Sequence, residues 1–183
     1  MSDTAARGAR SSLAAGVSIR PYRLDDAPWL LDAALESVAE VAPFMPWCRS
    51  DLTVEELRNW VESQVEAFAV RRAFEFVIES AGTLLGGCGL NQIDNVNRRA
   101  NLGYWVRSSA IRRGVATAAV RQLVAWGFQH TNLVRLEVVV STRNAPSLRT
   151  AEKAGAVREG VLRKRLLLYG ASHDAVVFSF VRG

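Results

Sequence analysis

Between Phe74 and Arg107 the chain sets three strand-like segments in a row with only short turns between them. Phe74–Glu79 alternates in part, Ala81-Gly82 is a turn pair, and Thr83–Ile93 is a second strand softened by Gly86, Gly87 and Gly89. Asp94-Asn95-Val96-Asn97 turns the chain again, and Ala100–Arg107 is a third strand carrying Gly103-Tyr104-Trp105-Val106. Connections this short join strands as antiparallel neighbours, so a meander is expected at the centre of the fold.

Periodicity supplies the other elements. Val17–Tyr22 reads as a strand, and Asp25 or Asp26 caps a helix to about Glu40, with Leu30, Leu31, Ala34, Leu35 and Val38 at helical spacing. Pro43 and Pro46 end it, and the apolar link Ala42–Cys48 suits a loop laid against a pocket, or one that merely packs. Thr53 and Glu56 form a capping box for a helix to about Val70. After the meander, Val115, Ala119, Leu123, Trp126 and Gly127 mark a helix from Gly114 to about His130. Val134–Ser141 is a strand, Ala145–Lys153 a helix stopped at Gly155, and Val157–Leu168 and Ala175–Val181 are strands around the turn Tyr169–Ser172. No repeat or composition break divides this order, so residues 17–183 are expected to form one domain. Residues 1–16, rich in Ala, Ser and Gly and without the apolar core of a signal peptide, are expected to be a flexible extension.

Several functions are excluded. Two cysteines, Cys48 and Cys88, and two histidines, His130 and His173, offer neither a disulfide framework nor a zinc spacing, so no metal is expected. Thiol usage of this kind suits a reducing cytosol, and a cytoplasmic location is the expectation. No apolar run approaches the roughly 18 residues that crossing a bilayer requires, so no membrane partner is expected. The net charge of +5 is spread over Arg112, Arg113, Arg158, Arg163, Lys164 and Arg165, which reads more readily as a solvated face than as a nucleic-acid patch.

The stretch Ile111–Val120 carries more. A strand entering Arg112-Arg113-Gly114 and then a helix of small residues offers unpaired backbone N–H groups and the positive end of the helix dipole to an anion. Ala116, Thr117, Ala118 and Ala119 leave that helix end uncovered, and a diphosphate would suit it. Neither the GK[ST] of a nucleotide triphosphatase nor the GxGxxG of a dinucleotide fold is present. Taken alone, the turn also fits the charged start of an ordinary helix.

Around it stand Gly103-Tyr104-Trp105-Val106, Arg135-Leu136-Glu137-Val138, Asn144-Ala145-Pro146-Ser147 and Glu152-Lys153-Ala154-Gly155. Met45-Pro46-Trp47 lies upstream, and Arg158-Glu159-Gly160, Gly170 and Asp174 follow. In this order and spacing, from Val17 to the C-terminus, the chain resembles the GNAT acetyltransferases, in particular the RimJ/RimL branch that acetylates the N-terminal amine of ribosomal proteins.

The resemblance implies an α/β (α+β) fold with a mixed, mostly antiparallel sheet splayed into a coenzyme A cleft and helices on both faces. It implies acetyl-coenzyme A as cosubstrate, with the pyrophosphate on the turn Arg112, Arg113, Gly114, Val115, Ala116 and Thr117. Backbone groups of Trp105, Val106 and Arg107 would hold the pantetheine arm and polarise the thioester. Asn144 would bond the same arm, Arg149 would reach a coenzyme phosphate, and Ser147 would protonate the departing thiolate. Met45, Trp47 and Tyr104 would face the acceptor, a protein or peptide N-terminus. A small amine such as a polyamine is the second choice of acceptor, and a coenzyme-binding module without turnover is the reading from another class. Family members often pair, so a homodimer is expected.

Two departures stand out. Ile111 occupies the position where the family's turn usually starts with Gln or Arg, which leaves the backbone donors intact. Many members also carry a base carboxylate on the strand before GYW or on the first late strand, where this chain has Asn101 and Leu166-Leu167-Leu168. An attacking amine must lose a proton. Glu137 and Glu75, on strands flanking the cleft, are the candidate bases, and His130 and His173 fall on no matching position.

Overall fold

The computed structural model describes residues 13–183. Of the expected extension, residues 1–12 lie outside the described residues; Leu13–Ala15 form a helical turn, and Leu13 packs against the main core. The chain then runs β1 (Val17–Pro21), α1 (Ala27–Glu36), α2 (Val38–Val41), α3 (Val54–Ala69), β2 (Phe74–Ser80), β3 (Thr83–Asp94) and β4 (Arg99–Val106). It continues through α4 (Val115–His130), β5 (Arg135–Ser141), α5 (Ala145–Ala154), β6 (Val157–Leu168) and β7 (Ala171–Val181).

The seven strands form one sheet in the order β1-β2-β3-β4-β5-β7-β6. β2, β3 and β4 are antiparallel neighbours, as the short turns require. β4 and β5 alone run parallel, because the chain crosses back through α4 between them. Their pairing covers only Arg99–Asn101 against Arg135–Glu137, so from Leu102 and Val138 onward the sheet opens between them.

Both faces are covered, which is why β2 alternates only in part. Phe76 and Ile78 point into a core shared with Leu90, Leu102, Leu123, Leu136 and Phe178 under α4 and α5. Val77 points the other way, into a second core with Leu30, Ala33, Leu57 and Val61 of α1 and α3. Each of the large side chains is almost fully buried and contributes roughly 1.5–3 kcal/mol of transfer free energy.

Two boundaries differ from the sequence reading. The first helix does not continue to Glu40: it breaks at Ser37, which leaves helical geometry (φ −109°, ψ 7°). The Ser37 hydroxyl donates to Ala33 O (2.6 Å) and accepts from the Ser108 N–H (3.0 Å), tying the break to the turn after β4. The last hairpin is tighter than a four-residue turn. Tyr169 (φ 50°) and Gly170 (φ 78°) make a two-residue turn with both φ angles positive, and β7 starts at Ala171.

Candidate active site

The turn after β4 reaches α4 through two left-handed residues, Arg112 (φ 59°) and Gly114 (φ 78°). Glycine accepts that conformation without a Cβ penalty, and a Cβ on Gly114 would lie 3.2 Å from the Ala14 methyl. The Ala118 N–H donates to Gly114 O (3.0 Å) as the first bond of the helix. The N–H groups of Val115, Ala116 and Thr117 therefore lack an intrahelical acceptor, and among the described residues the helix start has no side-chain cap. With the dipole of a 16-residue helix behind them, these donors have the geometry and partial charge that favour an anion.

α5 starts differently. The Asn144 side-chain oxygen accepts the Ser147 N–H (3.2 Å), so Asn144 is a helix cap whose amide NH2 stays available. The Tyr104 hydroxyl of β4 donates to Ser147 O (3.0 Å) and stands 2.9 Å from Ser147 Oγ. In the second contact either hydroxyl can be the donor. Burial pushes the Tyr104 phenol up to about 12, with the Ser147 bond opposing the shift, so it stays protonated at neutral pH.

Along β4, alternate residues turn their N–H and C=O groups to opposite edges. The Arg107 N–H donates to Leu85 O of β3 (2.7 Å), which turns the backbone of Trp105 to β3 as well. Tyr104 and Val106 therefore present their backbone groups to the opened β4/β5 edge. The sequence reading assigned this role to Trp105, Val106 and Arg107, and the structure leaves only Val106 of the three free for it. The Arg107 side chain is also engaged, bonding Asp32 (2.9 Å) and Glu36 of α1. Its guanidinium holds the Glu36 carboxyl down to about 2.

One cavity of about 740 Å³ joins these parts. Its walls include Met45, Tyr104, Trp105, Val106, Arg112, Gly114, Val115, Ala116 and Thr117, together with Asn144, Ser147 and Arg149. Arg113 and Trp47 are outside the lining; Trp47 instead meets Trp105 edge-on, with ring centroids 5.3 Å apart. Glu137 is also absent from the lining: Arg135 (2.8 Å) and Arg99 (3.4 Å) both donate to it where β4 and β5 are still paired. The sequence reading missed Thr150 and Lys153, which line the cavity beside Arg149. Their spacing from Pro146 is i+4 and i+7, a helical periodicity that places them on one face of α5.

Among the described residues no three His, Cys, Asp or Glu side chains are grouped so as to hold a metal ion, and no helix is long and apolar enough to cross a membrane.

The family model described as the acetyltransferase (GNAT) domain matches residues 17–157. The Bacillus subtilis (strain 168) protein YdaF, named a ribosomal N-acetyltransferase, is 34% identical over 167 residues, covering 91% of each chain. The spermidine N(1)-acetyltransferase of Escherichia coli (strain K12) is 26% identical over 137 residues, covering 69% of this chain and 74% of its own. Mycobacterium smegmatis RimJ in complex with CoA-disulfide superposes with a TM-score of 0.82 at 27% identity, covering 90% of this chain and 81% of that one.

Proposed function

The chain belongs to the GNAT acetyltransferase family, whose cosubstrate is acetyl-coenzyme A, and from that premise we propose that it acetylates the α-amino group at a protein or peptide N-terminus. The observation that carries the reading is the single cavity running from the uncapped start of α4, past the open edge of β4, to the Ser147–Tyr104 pair.

In this reading the pyrophosphate sits on the amides of Val115–Thr117, with Arg112, Arg149 and Lys153 supplying positive charge around it. The backbone of Tyr104 and Val106 and the free Asn144 amide hold the pantetheine arm, and the β4 donors stabilise the oxygen that becomes negative on attack. Losing one such donor typically costs about 100-fold to 1000-fold in rate. The neutral amine attacks the thioester carbonyl, the C–S bond breaks, and Ser147 delivers a proton to the sulfur with Tyr104 behind it.

Met45 on the cavity wall, and Trp47 against Trp105, stand on the acceptor side. The likeness to the spermidine enzyme favours a second reading, a polyamine acceptor. Against it, Glu40 is the one acid lining the cavity among the described residues, beside Arg112, Arg149 and Lys153, a balance of charge that does not favour a polycation. A reducing cytosolic location goes with the main reading and is supported by two free, buried thiols, Cys48 and Cys88. Pairing into a homodimer is supported by the edge strand β6, which exposes Val157, Val161, Leu162 and Leu167.

Mixing the protein with acetyl-coenzyme A and a panel of N-terminal peptides and spermidine, and measuring free thiol, tests the reading. Fastest release with peptides is expected. Release with spermidine alone would move the acceptor to small amines, and binding without release for every amine would leave a coenzyme-binding module.

A further inference from the structure

The face of the sheet opposite the Tyr104–Ser147 contact holds a carboxylate that the scheme above leaves unused. Glu75 of β2 pairs in register with Gly89 of β3, and Gly89 with Gly103 of β4, so all three share one face. The Glu75 side chain lies flat across Gly89. A Cβ there would stand 1.8 Å from Glu75 Oε2 and 2.2 Å from its carboxyl carbon, so only glycine lets the carboxylate reach toward β4. Beyond it the space above Gly103 is open, with nothing nearer to a Cβ there than the Asn101 amide at 3.9 Å.

A relay of amides fixes this direction. Asn91 Nδ2 donates to Glu75 Oε1 (3.0 Å), and Asn101 Nδ2 donates to Asn91 Oδ1 (2.9 Å). Asn101 is the residue at which the base carboxylate was expected and is missing. Glu75 brings an oxygen within about one strand spacing, roughly 4.8 Å, of that strand. At the other end of the hollow the Tyr22 hydroxyl and the Trp105 indole N–H converge over Gly87, 2.5 Å and 2.9 Å from where its Cβ would be. Glu75 is outside the cavity lining, as Glu137 is, but Trp105 belongs to both the lining and the group of residues over Gly87.

Glu75 and Glu137 differ in what holds them. Glu137 is gripped by two guanidiniums, whereas among the described residues no ion pair includes Glu75. Glu75, Asn91, Asn101, Gly103 and Trp105 are all half-buried and keep partial contact with solvent. Burial pushes the Glu75 carboxyl up, with Asn91 opposing the shift, and this brings its proton affinity closer to that of an amine.

We infer that Glu75 is the general base of the transfer, taking the proton of the acceptor ammonium over Gly89 and Gly103; this rests on the acetyl-transfer reading above. The ammonium N–H bond breaks, an O–H bond forms on Glu75, and the freed lone pair attacks the thioester carbon. As the tetrahedral intermediate collapses, the C–S bond breaks and Ser147 protonates the thiolate. The second N–H proton replaces the one that Ser147 gave. Glu75 returns its proton to solvent, so each turnover releases one proton.

The test compares Glu75→Gln, Glu137→Gln and Gly89→Ala in pH profiles of kcat/KM with the best peptide acceptor, alongside acetyl-coenzyme A affinity. The titratable group on the same face as Glu75 is Tyr22, and Cys88 stands beside it on the other face of the sheet; both are pushed well up by burial, so neither titrates on the acid limb. E75Q is expected to lose about tenfold near pH 7, the factor by which an N-terminal amine is held protonated there, with unchanged coenzyme affinity. It should recover as pH rises past about 8, where an N-terminal amine deprotonates unaided. G89A, whose methyl displaces the carboxylate, should share the loss with a normal circular-dichroism spectrum, and E137Q should behave like the wild type. Wild-type turnover and acid limb in both E75Q and folded G89A would overturn the inference while leaving acetyl transfer intact. No thiol release by the wild type with any amine would overturn both.

Discussion

α3 and α4 are both 16 residues long, yet they begin in opposite ways. At the start of α3 the Thr53 N–H donates to Glu56 Oε2 (2.9 Å) and the Glu56 N–H donates to Thr53 Oγ1 (3.3 Å), with Glu55 adding a second acid to the first turn. α4 starts at a left-handed glycine with no capping side chain and no acid in its first turn. The same peptide groups serve two ends. In α3 the chain satisfies its own donors and gains helix stability; in α4 small residues leave them facing a cavity, where the proposed function has an anionic ligand complete them. α5 stands between, with one donor capped by Asn144 and the Ser147 hydroxyl turned to Tyr104.

The largest expected effect breaks the intermediate case. Ser147→Ala keeps the backbone N–H that Asn144 caps and removes only the hydroxyl, so kcat should fall about 100-fold while acetyl-coenzyme A affinity, measured by calorimetry, stays unchanged. Wild-type kcat would remove Ser147 from the proton path. Next, Ala116→Glu gives α4 the acidic first turn of α3. It should stabilise the helix by about 0.3–1 kcal/mol and still weaken acetyl-coenzyme A binding about tenfold, a loss of about 1.4 kcal/mol. Unchanged affinity would show that the pyrophosphate does not sit on these amides. The smallest effect is at α3: Thr53→Ala should cost about 1 kcal/mol, lowering Tm by about 2–4 °C in a chain of this size, with kcat and coenzyme affinity untouched.

Local features were legible. The capping box at Thr53, the glycine turn at Gly114, the meander and the helical face of α4 each rest on a few neighbouring residues, and they stand where the sequence places them. The break at Ser37 was not, because Leu35 and Val38 keep helical spacing through it and its cause is a hydroxyl shared between Ala33 and Ser108, 71 residues further along. Arg107 illustrates the same limit: its type and position fit the coenzyme edge, but its amide faces Leu85 and its side chain faces α1. The two candidate bases were equivalent as letters on flanking strands. Pairing register separated them, by laying Glu75 over a glycine and Glu137 beside two arginines.

The sequence by itself determined the order of elements, the uncapped helix start and the NxxS of α5, because backbone donors, glycine conformation and side-chain caps act over a few bonds. Tertiary structure decided which edge of β4 is open, which arginines are already engaged and which carboxylate lies over a glycine and not between arginines. Those outcomes depend on strand register and on partners distant in the chain, such as Glu75 above Gly89 and Tyr104 against Ser147, and no local pattern encodes a distance between residues that only folding brings together.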